Sequence, residues 1–438
     1  MAAGNSTNGS NGGALRRVRR ACLAGATVLA GLGAGCDDGG TTGSSGPQGP
    51  VEVTVRTFAP IEANASWVAY QDGDGPWQVV DGLGGRYVFP IASGRYGVAI
   101  VCAPTEPGAS TSATVVHALV TEADTLRARC TTAAHDASVK GQVVGLAMGD
   151  DVAVSFATGS GYPTSTTPTF TAKLVTGTTD VVMRRRNGAL VDYAIERALS
   201  FGNGSQWAAS VASAVPGASG SATVTGALAA DAPFLAGWFT TAGGVTVGTY
   251  ASSLEAWSGP PASLLAPNDV QAARVNAGSP NTDAGRRSAI AYVHEVADVE
   301  LALPSPVAGP TVLVVAKAPY VRLSAEFPDV AGDAVFSLYH RVAGGASRSW
   351  DERITTGYLE ATGAATFETT SLSGLPGFDD AWGIASGGTV TWLSSVATSN
   401  RGPAGVLASS SVEEGAPPTG AEPGLVVTDV QRSGQVVP

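Results

Sequence analysis

Apolar and polar residues alternate along most of this chain with a period of two. Val51, Val53 and Val55 are interleaved with Glu52, Thr54 and Arg56, the spacing of a strand with one buried face. Trp67–Tyr70 and Trp77–Val80 flank the turn Asp72-Gly73-Asp74-Gly75 and predict a hairpin. Arg86–Phe89, Arg95–Cys102 and Ser112–Val120 read as further strands. The pattern resumes in VKGQVVGLAMGDDVAVSF and TFTAKLVTGTTDVVM, in GWFTTAGGVTVGTY, at Ala289–Val293 and Val299–Leu303, and through 311–399. Short Val/Thr/Tyr runs between Gly, Pro, Ser and Asp clusters predict an all-β chain with few helices.

The alternation is absent from the first 36 residues. Arg16, Arg17, Arg19 and Arg20 precede an uncharged run from Ala21 to Gly35, which ends at Cys36. A basic segment, an apolar core and small residues before a cysteine make a secretory signal. The segment resembles a bacterial lipoprotein signal, and that resemblance implies export with a lipid on Cys36, the first residue of the mature chain. As a helix, Ala21–Gly35 would span roughly 22 Å, short of a bilayer's hydrocarbon core. The membrane is therefore expected as a partner through a lipid anchor, in the periplasm or at the cell surface. Residues 36–50, rich in Gly and Ser, read as a flexible tether.

With 438 residues, several modules are expected. The pattern divides them as signal peptide 1–35, tether 36–50, a β-sandwich 51–132, a second at 138–215, a β-rich module 219–306, a sandwich 311–399, and a linker and tail 400–438 with one short strand at 425–430. Ser138–Met183, with Gly141, Gly145 and Gly177 at turns, resembles the carboxypeptidase-regulatory or transthyretin-like β-sandwich family. That resemblance implies a small accessory domain without catalysis. The fold expected is thus tandem Ig-like or transthyretin-like β-sandwich modules.

Charge narrows the partners. Removing residues 1–35 deletes four arginines and no acids, which takes the net charge from −11 to −15. Phosphate binding requires clustered cations, so no nucleic-acid partner is expected. Arg184-Arg185-Arg186 is a strand end whose side chains alternate faces. Cys22 leaves with the signal and Cys36 carries lipid, so Cys102 and Cys130 remain, and an even pair in an exported chain predicts a disulfide.

Catalytic signatures are sparse. Nucleophile-elbow, HExxH and P-loop patterns are missing from the sequence, and no cofactor or metal is expected. His117 and His340 lie on apolar strand faces, His135 falls between modules, and His294-Glu295 point to opposite faces of a strand. Asp72 and Asp74 suit a turn better than a six-oxygen calcium site. Trp67 and Trp77, and likewise Trp382 and Trp392, lie ten residues apart around glycine turns. Symmetric pairing would make each couple cross-strand neighbours, the aromatic surface on which a sugar stacks. The expected function is a non-catalytic binding or structural role in the cell envelope, with a polysaccharide or envelope protein as ligand. The alternative is an exported glycan hydrolase using acids such as Asp351 or Asp379.

Overall fold

The computed structural model describes residues 50–58, 64–103, 110–130, 135–249, 251–254, 256–330, 332–342, 348–364, 366–409 and 421–438. The signal, Cys36 and nearly all of the tether lie outside the described residues. Within them the chain is all-β, with two short α-helices, Thr356–Thr362 and Gly402–Ala408.

Twelve strands form one sheet. In chain order they are β1 (Trp67–Asp72), β2 (Gln78–Val79), β3 (Arg95–Cys102), β4 (Thr111–Leu119), β5 (Phe234–Thr240), β6 (Thr246–Thr249), β7 (Val270–Gly278), β8 (Arg286–Val293), β9 (Val335–Val342), β10 (Arg348–Thr355), β11 (Val390–Ser399) and β12 (Val426–Val436). Across the sheet the order is β6-β5-β7-β8-β12-β11-β9-β10-β4-β3-β1-β2. Neighbours are antiparallel except β10 and β4. Segments 51–132, 219–306, 311–399 and 400–438 all contribute strands, so hydrogen bonding runs through them without a break.

β12 corrects the expected C-terminal tail. Its eleven residues pair with β8 on one side and β11 on the other, joining two half-sheets. The polar letters Asp429, Gln431 and Ser433 concealed a central strand because each has a partner more than a hundred residues away. Ser288 donates to Asp429 at 2.7 Å and Gln431 donates to Asp429 at 2.6 Å. Buried polar groups are tolerated where hydrogen bonds replace water.

Each half of the sheet is covered on both faces. On one face, Trp67, Ala99, Val115, Leu338, Trp350 and Ile354 pack under the sheet of Thr311–Ala316, Arg322–Glu326 and Thr366–Glu368. On the other, Val68, Val98, Ile100 and Val116 meet Val53, Val55, Phe89 and Leu126 from the strands Val51–Phe58, Arg86–Ile91 and Thr125–Arg129. The expected Cys102–Cys130 disulfide closes this layer. At the far end, Ala273, Val275 and Ala289 pack on Trp257, Val299 and Leu301.

Residues 137–216 build a separate two-sheet body. Ala137–Val144 lies between Thr169–Leu174 and Gln206–Ser210, facing a five-stranded sheet that contains Gly177–Asn187 and Leu190–Phe201. Its core, including Val139, Val154, Phe156, Leu174, Met183 and Trp207, is its own. A half-buried ionic clamp fastens it to the large sheet. Arg197 donates to Asp180 at 3.1 Å, to Asp269 at 3.1 and 2.5 Å and to the Leu264 carbonyl at 2.8 Å.

Candidate functional site

The four expected tryptophans do not form two matching pairs. Pro76 cannot donate to a ladder, so β2 begins only at Gln78, and its register places Val79 opposite Ala69 and Gln78 opposite Tyr70. Trp77 then falls level with Gln71, while Trp67 faces Val101. Nor is there a hairpin between Trp382 and Trp392. Asp379 accepts from the Ala381 N–H at 2.8 Å and caps the 3-10 turn Asp380–Trp382, as a side-chain acceptor at a helix start does. Trp392 lies in β11, whose partners are β9 and β12.

Three of these indoles serve the core. Trp67 is buried, donates to the Pro376 carbonyl at 3.0 Å and meets the edge of Phe378 at 5.2 Å. Phe378 also contacts the half-buried Trp382 at 5.6 Å. Trp392 crosses Gly434, where a Cβ would stand 2.4 Å from its Cζ2. Trp77 is half-buried against the same core as Trp382 and Trp392, and it also borders a polar cluster.

That cluster is assembled from four distant stretches. The register aligns Gly97 of β3 with His117 of β4, and His117 with Ile354 of β10. Both rings close tightly over Gly97, where a Cβ would lie 3.0 Å from Trp77 Cη2 and 3.1 Å from His117 Nδ1. The His117 ring sits 6.3 Å from Trp77 and 5.2 Å from Tyr358. Its Nε2 lies 3.1 Å from Glu352 Oε1 and 3.1 Å from Thr370 Oγ1. Glu352 is fully buried and accepts from Trp350 Nε1 at 2.7 Å and Thr370 Oγ1 at 2.5 Å. At the rim Arg95 pairs with Asp74. Burial, with Asp74 and Glu352 nearby and Arg95 opposing, raises the Tyr358 hydroxyl above its ordinary pKa.

The chemistry of this cluster is positioning. The carboxylate of Glu352 is saturated by donors, and the Thr370 hydroxyl is spent on it. His117 is thereby fixed in orientation between two aromatic rings, and Trp77 and Tyr358 are held beside a fixed hydrogen-bonding rim. His117 was expected on an apolar strand face as a structural residue, and it holds a partner there. Tyr358 and Thr370 were missed, and Glu352, noted only as an acid beside Asp351, was not paired with His117. One signal pointed to Glu352: it interrupts the alternating row Trp350, Ile354 on a buried face.

The remaining candidates other than His340 are engaged elsewhere. His340 is fully buried among Leu338, Trp350 and Trp392 in the register. His294 Nδ1 lies 2.9 Å from the Asp269 carbonyl, and His135 Nε2 lies 3.0 Å from that of Thr158. Asp72 accepts from the Ala92 and Ser93 N–H groups at 3.0 and 2.9 Å, tying two turns together. Burial opposes ionisation of Asp72, yet these hydrogen bonds hold its pKa below the ordinary carboxylate value. Arg184 and Arg185 pair with Asp151 and Asp150.

Asp351 and Asp379 are not brought to one cleft. Asp351 accepts from Ser337 at 2.9 Å and Arg353 at 2.8 Å on the sheet face opposite Trp350. Asp379 follows Phe378, which packs on the Trp350 face. The sheet lies between the two acids, whereas a glycosidase pair must face one another across about 5 to 9.5 Å. Among the described residues no group of three or more His, Cys, Asp or Glu residues is placed to hold a metal. No helix among them is long and apolar enough to cross a membrane, which does not address a β-barrel.

No family model matches the chain, and no curated protein matches it. Among solved structures, the Bacillus anthracis TIE protein aligns at 10% identity with a TM-score of 0.16, over 59% of this chain and 51% of that one. The chain thus spans about half the length of that protein. The Bacteroides ovatus mixed-linkage glucan utilization locus SGBP-B, in complex with a mixed-linkage heptasaccharide, aligns over 73% of this chain and 89% of its own at 11% identity, with a TM-score of 0.15. Likenesses this slight carry no argument about fold or function.

Proposed function

We propose that this chain is a non-catalytic binding protein of the bacterial cell envelope, held to a membrane by a lipid on Cys36 and recognising a polysaccharide beside Trp77. The observation that carries this reading is the Trp77–His117–Tyr358 cluster. Two aromatic rings flank a histidine fixed by a buried carboxylate, next to the Arg95–Asp74 pair. Sugar rings stack their apolar faces on aromatic side chains, and their hydroxyls bond to polar groups alongside. A positioned surface of this kind binds without needing a nucleophile or a proton relay.

The test is tryptophan fluorescence of the full-length protein, titrated with envelope and extracellular polysaccharides. One glycan is expected to shield a quenchable indole, and Trp77→Ala is expected to remove that response while the fold persists by circular dichroism. A response that survives Trp77→Ala, or none to any glycan, sinks the polysaccharide reading. Lipidation is checked separately, since Cys36→Ser should release the protein from membranes.

A further inference from the structure

A second recessed surface lies away from Trp77, where the strand Arg322–Glu326 runs out beside the last turn of the helix Thr356–Thr362. The space is about 370 Å³, at the small end of ligand pockets. Its walls are apolar, formed by Phe327, Val330, Phe336, Leu359 and Phe367. Phe327 stacks on Phe367 at 5.4 Å and packs on Phe336 at 4.7 Å, so the rings belong to a rigid core layer. The pocket is therefore preformed.

Its rim carries a single sign of charge. Glu326, Asp329 and Glu360 line the pocket and are exposed, and no lysine or arginine lines it. None of the three carboxylates has a hydrogen-bond or ion-pair partner among the described residues. The same rim includes Gly363 and Ala364, whose N–H groups cap the helix end on the Glu360 and Leu359 carbonyls. An apolar ligand without charge would leave this field unused, and an anion would be repelled by it.

We infer that this pocket binds a small hydrophobic ammonium cation, with its apolar body against Phe327, Phe336 and Phe367 and its charge at the Glu326–Asp329–Glu360 rim. The rings bury the apolar body, and the acids supply complementarity that selects against neutral and anionic analogues. The site is independent of the Trp77 cluster, so either can fail alone.

The experiment is calorimetric titration of the full-length protein with 2-phenylethylammonium, using 2-phenylethanol and 3-phenylpropionate as ring-matched neutral and anionic controls. The ammonium should saturate the protein, the alcohol should bind about tenfold more weakly, and the carboxylate should not bind. The triple change Glu326→Gln, Asp329→Asn and Glu360→Gln should reduce the ammonium to the level of the alcohol. Ala364→Trp, which plugs the mouth from an exposed position, should abolish binding with thermal unfolding unchanged. Equal affinity for the three probes, no binding of the ammonium, or binding that survives Ala364→Trp overturns the inference.

Discussion

The two-sheet body at 137–216 and the twelve-stranded sheet with its covering layers are both built of β-strands, yet they are stabilised in different ways. The first closes its core within one continuous stretch of about 80 residues, and every strand it needs is near in sequence. The second draws one sheet from Trp67 to Val436, so each half depends on a strand supplied from far along the chain. Loop closure makes such distant pairing costly and slow to form. Local construction closes a core from neighbouring strands, whereas distributed construction makes a single strand decisive for the whole.

That strand is β12, and deleting residues 426–438 is the largest available perturbation. It leaves β8 and β11 with unpaired edges and removes Val427 and Val430 from the core. The loss should exceed the roughly 5 to 15 kcal/mol that holds a domain together. Hydrogen exchange should show amides of β7 through β11 exchanging freely while those of 137–216 stay protected. Protection retained in both regions would mean that the two half-sheets do not need β12.

Glu352→Ala should weaken the large sheet by about 3 to 5 kcal/mol, because the Trp350 and Thr370 donors lose a buried acceptor. Glu352→Gln retains one oxygen and should cost about half as much. Urea unfolding followed at 137–216 should shift less than that of the large sheet in either variant. A shift below about 1 kcal/mol for the alanine variant would show that the buried network contributes little.

How far each region is legible in the sequence follows from the same contrast. Val53 and Val55 are fully buried, as their alternation predicts, and Cys102 meets Cys130. Runs such as Tyr96–Cys102 declare themselves because both faces are apolar. β12 does not, since Asp429, Gln431 and Arg432 are buried or half-buried by partners more than a hundred residues away. His117 and Glu352 lie 235 residues apart, and no local period can pair them. Trp382 and Trp392 have matching spacing but unlike backbones, because Asp379 caps a turn.

A pH scan sharpens the comparison further. Burial, offset only in part by Glu352 and Asp351, depresses His340 from 6.5 to about 4. The folded state thus binds its proton less well than the unfolded chain does. Stability from the neutral imidazole is fully present above pH 6.5 and is lost as pH falls toward about 4, a contribution of about 3 kcal/mol. Residues 137–216 contain no histidine, so their unfolding should lack this component. His340→Leu should flatten the profile of the large sheet between pH 6.5 and 4.5, about the window of that shift. An unchanged slope in that variant would assign the acid sensitivity to other groups.

The smallest effect belongs to the clamp between the two regions. Asp269 is fully buried and accepts from the Ala242 and Ala266 N–H groups at 2.8 and 2.9 Å as well as from Arg197. Asp180 likewise accepts from the Ala198 N–H at 2.9 Å. Arg197→Met therefore leaves each carboxylate with backbone donors and removes only the shared cation, which itself remains partly exposed at 31% of its side chain. The cost should be about 1 to 2 kcal/mol, below that of breaking a fully buried pair. It should appear as a loss of coupling, with 137–216 and the large sheet unfolding at separated urea midpoints where the parent protein unfolds more nearly together. Midpoints that shift in parallel by the same amount would mean that Arg197 stabilises one region alone, and that the apolar contact of Val182 with Phe239 and Val247 carries the junction.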